Sequence, residues 1–248
     1  MRRPTLFLLH ALGGSAKAWT GVIDRLGARF DCVALDLPGF GDRADEGYVD
    51  VAPMVDWLAA EVVARQPERW FLVGHSMGGK FATLLAAREQ GAAGLGGVVL
   101  LAASPPAPEP MAEDRREDML DWFRDGPANE AQAGEFVDGN SAKPLPEPLR
   151  EAAIVDVRRS SPDAWTGWLE RGSREDWRAA AGVMAMPALI VAGGEDGDLG
   201  EAAQRQWNAP HYAKAQVVVV EGAAHLLPLE VADVVAKLIA DFADRHHA

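Results

Sequence analysis

The residues best suited to chemistry lie in "FLVGHSMGGKFA", Phe71–Ala82. Gly74-His75-Ser76-Met77-Gly78 fits G-x-S-x-G, with an apolar run before it and a helix-like stretch after it. A five-residue match alone is weak, and the agreement of strand, motif and helix gives it weight. A turn this sharp strains the serine backbone and needs small neighbours, and it lifts the serine hydroxyl above a sheet. It also puts Ser76 at a helix N-terminus, where developing negative charge is favoured. The same residues could serve instead as a glycine-rich turn with a helix-capping serine. A serine hydroxyl is a poor nucleophile at neutral pH, so nucleophilic chemistry needs a base, and the base needs an orienting acid. The chain offers six histidines (His10, His75, His211, His225, His246 and His247) and an acidic turn with Glu195, Asp196 and Asp198.

These groups need a scaffold. Apolar runs at Thr5–Leu9, Cys32–Leu37, Trp70–Gly74, Gly97–Ala103, Ala188–Gly193 and Gln216–Gly222 are continuous rather than alternating. That pattern suits strands buried on both faces. Helix-like segments (Val51–Arg65, Gly79–Glu89, Gly200–Trp207 and Val231–Arg245) separate most of them. Strands alternating with helices imply an α/β fold, a mostly parallel sheet flanked by helices. Between Ser104 and Met186 there is no strand-like run. Proline-punctuated segments at Met111–Arg124, Asn129–Val137, Glu147–Arg159, Asp163–Glu170 and Arg174–Gly182 read as an inserted set of short helices. The expected division is a core of residues 1–104 and 183–248 with a helical cap of 105–182, entered through the stiff "PPAPEP". Such an insertion sits over the carboxyl ends of the strands, where open α/β folds bind ligands.

The elbow, the acidic turn after "ALIVAG" and the "EGAAHLLPLE" loop together resemble the α/β-hydrolase superfamily, in which nucleophile, acid and histidine follow in that order. The resemblance covers Thr5–Ser104 and Pro187 onward. It implies the α/β-hydrolase fold and a serine hydrolase of the esterase type, with Ser76 as nucleophile. The matching acid follows Gly193 by three, at Asp196, with Asp198 and Glu195 as close competitors. The matching base is His225 in a G-x-x-H loop, while His75 lies too near Ser76 to turn back and His211, His246 and His247 fall elsewhere. The first loop, "HALGGS", stands where the family often has H-G-x-x-G, which supplies an oxyanion N–H. By position the donors are the backbone N–H groups of Leu12 and Met77, each worth about 3–4 kcal/mol to a transition state. Ala11 replaces a usual glycine, so the loop geometry is expected to differ slightly. Asp36 in "DLPGFGDR" and Lys80 read as structural. His10, Trp19, Trp122, Trp165 and Trp168 are candidates for the substrate pocket.

The same constellation also serves thioesterases, lactonases, carbon–carbon bond hydrolases and acyltransferases, and a non-catalytic ligand-binding receptor is the reading of another class. Dehalogenase and epoxide-hydrolase chemistry is disfavoured by serine, rather than aspartate, at the elbow. No metal or organic cofactor is expected: there is no zinc-spaced Cys/His set, and "GLGG" at 94–97 precedes a strand rather than following one.

The 248 residues suffice for one large domain, and 48% apolar with 25% charged residues is ordinary globular composition. A formal net charge of −13 argues against nucleic acid and an anionic membrane surface, and disfavours anionic acyl carriers. The expected partner is a small ester-like molecule. Oligomeric state is left open. One cysteine, Cys32, calls for no oxidising compartment, so a cytoplasmic location is expected. The N-terminal "MRRPTLFLLHALGGSAKA" looks like a signal peptide, but its apolar core is short, and cleavage after Ala18 would remove a strand and half the oxyanion site.

Overall fold

A computed structural model describes residues 2–47 and 50–246; His247, grouped above with the chain's last residues, lies outside them. The elements run β1 (Thr5–Leu9), α1 (Thr20–Leu26), β2 (Asp31–Leu35), α2 (Val51–Arg65), β3 (Trp70–His75), α3 (Met77–Arg88) and β4 (Leu95–Leu101). Then come five short helices: α4 (Glu113–Asp121), α5 (Glu130–Gly139), α6 (Glu147–Arg158), α7 (Pro162–Gly167) and α8 (Arg178–Ala181). The chain returns to the sheet with β5 (Met184–Gly193), α9 (Glu201–Ala203), β6 (Tyr212–Val220), α10 (Leu227–Glu230) and α11 (Ala232–Arg245).

The six strands form one parallel sheet in the order β2-β1-β3-β4-β5-β6. From β1 the chain steps outward to β2, then returns to the other side of β1 as β3. That reversal opens a crevice at the carboxyl ends of β1 and β3, the usual ligand position in open α/β sheets. Both strands are buried along their whole length, which is why their side chains do not alternate in polarity. Alternate residues serve two cores. Leu6, Leu8, Phe71 and Val73 pack under α1 and α11, whereas Phe7, Leu9 and Leu72 pack under α2, α3 and the inserted helices.

Two strands begin four residues before their apolar runs. β5 starts at Met184, four residues before Ala188, with a register irregularity before Pro187. β6 starts at Tyr212, four before Gln216, because Ala213–Gln216 are exposed on an edge strand and carry no continuous apolar signal. The segment expected to be a helix over Gly200–Trp207 is one turn, Glu201–Ala203, widening into a π-helical turn over Gln204–Asn208.

Aromatic residues hold the inserted helices to one another. Trp165 is fully buried, stacks on Phe123 at 4.4 Å and meets Phe136 edge-on at 5.1 Å, and its indole N–H donates to the Met119 carbonyl (2.8 Å). Charged anchors add to this. The buried Arg116 donates to the Leu169 carbonyl and the Ser173 hydroxyl. Lys80 reaches from α3 to the carbonyls of Gly172 and Glu175 (2.9 and 3.1 Å) over the Trp168 ring. Burial holds the Lys80 ammonium down to a pKa of about 8, against the pull of Glu109, Glu175 and Asp176. No helix among the described residues is long and apolar enough to cross a membrane.

Candidate active site

Ser76 follows β3 directly and precedes the first residue of α3, two residues earlier than the sequence places that helix. Its backbone sits at φ 49°, ψ −120°, a region a serine rarely visits. The surrounding contacts overdetermine this strain. Its N–H donates to the Leu101 carbonyl (3.0 Å), and its carbonyl accepts from Gly79 (2.7 Å) and Ser104 (2.9 Å). The glycines are steric necessities. A Cβ on Gly74 would lie 2.5 Å from the Gly78 carbonyl oxygen, one on Gly78 would lie 2.5 Å from the Leu9 oxygen, and one on Gly79 would lie 2.3 Å from the Ala103 Cβ. The Ser76 side chain makes no capping hydrogen bond to the helix it precedes, so its hydroxyl is not spent on a structural cap.

The acidic turn follows β5 and the histidine loop follows β6, adjacent parallel strands, so both loops open at the same sheet edge. His225 Nδ1 meets Asp196 Oδ2 at 2.8 Å. The other Asp196 oxygen accepts the backbone N–H groups of Asp198 (3.2 Å) and Leu199 (3.0 Å), which fixes the carboxylate plane. Burial alone would push the Asp196 carboxyl up, but His225 and these N–H groups hold it below the usual aspartate range. Burial alone would likewise lower His225; the Asp196 charge and hydrogen bond outweigh that and hold the imidazole above 6.5. Of the three carboxylates in the turn, Asp196 faces the histidine. Asp198 instead pairs with Arg115 of α4 (2.7 Å), and Glu195 is exposed.

Ser76, Asp196 and His225 line one cavity, with Leu12, Phe136 and Trp168 among its walls. Among the described residues, the backbone N–H groups of Leu12 and Met77 meet no acceptor. Ala11 fits the first loop because the left-handed conformation falls on Gly13 (φ 70°) instead.

Four expected pocket residues lie away from this cavity. His10 is fully buried and clamps two loops, with Nδ1 bonded to the Ala11 carbonyl and Nε2 accepting the Leu37 N–H. Trp19 packs on the opposite face of the sheet with α1 and α11. Trp165 is consumed by the core of the insertion, and Trp122 faces an outer groove beside Asp114 and Glu135, which shares Met119 and Phe136 with the cavity as lining residues. Trp168 alone of the five lines the cavity. Asp36 is structural: its oxygens accept the N–H groups of Ala16 (2.7 Å) and Asp42 (3.1 Å).

Several further residues support the site. His75 Nε2 donates to the His225 carbonyl (2.7 Å), and burial and His225 lower its pKa to about 3, so it stays neutral. The Asn140 carbonyl accepts both the His225 and Leu226 N–H groups (3.1 and 3.2 Å). Glu230 accepts from Ala224 and from Ala142 (2.8 Å), stitching the histidine loop to the insertion a second time. A second, mostly apolar cavity adjoins the first through Leu12, Phe136 and Leu226, and is walled by Val137, Leu149 and Val157.

A parallel sheet with a strained serine elbow and a carboxylate–histidine pair at the neighbouring strand ends defines a class of α/β enzymes. The alpha/beta hydrolase family profile matches residues 6–238, and the chain belongs to that family. A pimeloyl-[acyl-carrier protein] methyl ester esterase of Aeromonas hydrophila is 41% identical over 83 residues, a match covering 34% of this chain and 32% of that protein. The protein of the same description from Yersinia pseudotuberculosis serotype IB is 27% identical over 252 residues, covering 97% of this chain and 93% of that protein. Among solved structures, the esterase EaEST from Exiguobacterium antarcticum superposes with a TM-score of 0.86 at 18% identity, over 97% of this chain and 92% of that one.

Proposed function

We propose that the protein is a serine hydrolase that cleaves carboxylic esters through an acyl-enzyme. Ser76 attacks the carbonyl carbon, and His225 takes the hydroxyl proton while Asp196 holds the imidazole tautomer. The N–H groups of Leu12 and Met77 receive the oxyanion. His225 returns the proton to the leaving alcohol. Water, deprotonated by His225, then attacks the acyl carbon, and the acid departs as Ser76 recovers its proton. The reading rests chiefly on the 2.8 Å contact between His225 Nδ1 and Asp196 in the cavity that Ser76 lines.

The apolar second cavity suits an aliphatic or aromatic acyl group, with Trp168 and Phe136 flanking the reacting bond. The relatives named for methyl ester cleavage support an ester as substrate. Their carrier-protein moiety fits this chain less well, since the formal charge of −13 repels an anionic carrier. Cytoplasmic residence belongs to the same proposal, on the strength of a single cysteine.

The test is fluorophosphonate labelling followed by peptide mapping, alongside hydrolysis of nitrophenyl esters of graded acyl length. Modification on Ser76 and turnover that tracks it are the expected results. A folded protein that neither labels nor turns over any ester would leave the ligand-binding reading in its place.

A further inference from the structure

The cavity at Ser76 holds a carboxylate that the reaction above does not use. Glu109 lines it together with Ser76, Asp196 and His225. It lies between Pro108 and Pro110, whose rings fix the backbone on either side. Its N–H donates to the Ser173 carbonyl (2.8 Å), and its Oε2 accepts the hydroxyl of the fully buried Ser104 (2.7 Å). Ser104 in turn donates its backbone N–H to the Ser76 carbonyl (2.9 Å). The carboxylate is therefore held in place relative to the nucleophile rather than free on the surface.

The other charges facing the cavity are matched. Asp196 faces His225, and Asp198 faces Arg115, whose second Nη donates to Asn140 (3.0 Å). Among the described residues no cation lies within ion-pair distance of Glu109. Lys80 and Arg116 act on it at longer range, and their hydrogen bonds go to backbone carbonyls and the Ser173 hydroxyl. The negative charge is also felt at His225, across the cavity.

We propose that Glu109 is a specificity-determining residue that filters substrates by charge, admitting neutral and cationic esters and turning away esters whose acyl or alcohol group carries an anion. The inference rests on the serine esterase reading. Glu109 is half-buried, so a like charge entering the cavity is repelled and a cationic group attracted, by an interaction that salt can still reach.

The test compares kcat/KM for two sets of esters in the wild type and in Glu109→Gln. One set varies the acyl end: methyl hexanoate, monomethyl adipate and methyl 6-(trimethylammonio)hexanoate. The other varies the alcohol: propyl acetate, 2-sulfoethyl acetate and acetylcholine. Glu109→Gln is expected to raise the anionic-to-neutral ratio about tenfold in at least one set and to lower the cationic-to-neutral ratio in that set. Raising salt from about 20 mM to about 500 mM should shift the wild-type ratios the same way, which needs no variant to fold. Ratios unchanged within about twofold by both the variant and salt would overturn the filter. Ester turnover that survives in Ser76→Ala is a different outcome, and would overturn the serine reading instead.

Discussion

The sheet and the insertion contribute to one site by different physical means. In the sheet, backbone geometry does the positioning. The elbow at φ 49° is locked by glycines whose replacement would drive a Cβ into its neighbours, and acid and histidine stand at the ends of neighbouring strands. In the insertion, side chains do it: Arg115 on the acid turn, Arg116 on a buried carbonyl, Trp168 on the cavity wall, with Lys80 of α3 reaching across to two further carbonyls. The first kind of constraint tolerates almost no change in sequence. The second can be rebuilt in many ways, so on the serine hydrolase reading the chemistry is expected to belong to the sheet and the choice of substrate to the insertion.

The largest expected effect breaks the sheet's side of this contrast. Ser76→Ala should lower ester turnover by about 10⁴-fold or more, with the melting temperature held, as steady-state kinetics and calorimetry would register. Asp196→Asn should cost about 10³–10⁴-fold, by analogy with the loss when a triad aspartate becomes an amide. Because Asp196 holds His225 above 6.5, and the base must be neutral to act, wild-type kcat/KM should fall on acidification with a midpoint above that value. In the asparagine variant burial dominates, and the midpoint should move down. An Asp198→Asn variant that loses as much as Asp196→Asn would exchange their roles.

Acid should also reach the sheet side first, since residues 105–182 contain no histidine. His10 and His75 are lowered by burial to about 4 and about 3, so below 6.5 the unfolded chain takes up protons that the folded chain refuses. Stability present above 6.5 is therefore lost as pH falls, by up to about 1.4 kcal/mol per pH unit per histidine. Urea titrations at several pH values would measure the slope, and His10→Asn should flatten it.

Gly79→Ala should cost about 1–3 kcal/mol, because the new methyl must displace Ala103, and thermal melts would report it. Smallest is Arg115→Ala. The pair with Asp198 is more than a third exposed on the arginine side, so its loss should cost under about 1 kcal/mol. It should show in KM, a few-fold, rather than in kcat. A kcat collapse there would erase the division between the two regions.

The two regions also differ in what their sequences disclose. Strands buried on both faces produce unbroken apolar runs, so β1, β3 and β4 can be read directly, whereas the exposed start of β6 carries no such signal. The elbow glycines report backbone collisions that any sequence must avoid. The pocket residues could not be chosen by type. Trp165 and Trp168 are three apart, yet one fills the insertion's own core and the other walls the cavity. Asn140 acts through its carbonyl, which every residue has, so nothing in its identity marks it. Glu230 did leave a faint trace: a carboxylate five residues after His225, in a loop whose N–H groups need acceptors.

That shared Asn140 carbonyl bears on how such enzymes could be shortened or recombined. A version trimmed to the sheet and its flanking helices would strand two amide protons beside the His225 imidazole, with only solvent left to receive them. Grafting the lid of a relative would succeed only if some main-chain oxygen arrived at the same spot. The inserted helices thus support the histidine loop as well as wall the cavity, and the two are expected to be inherited together.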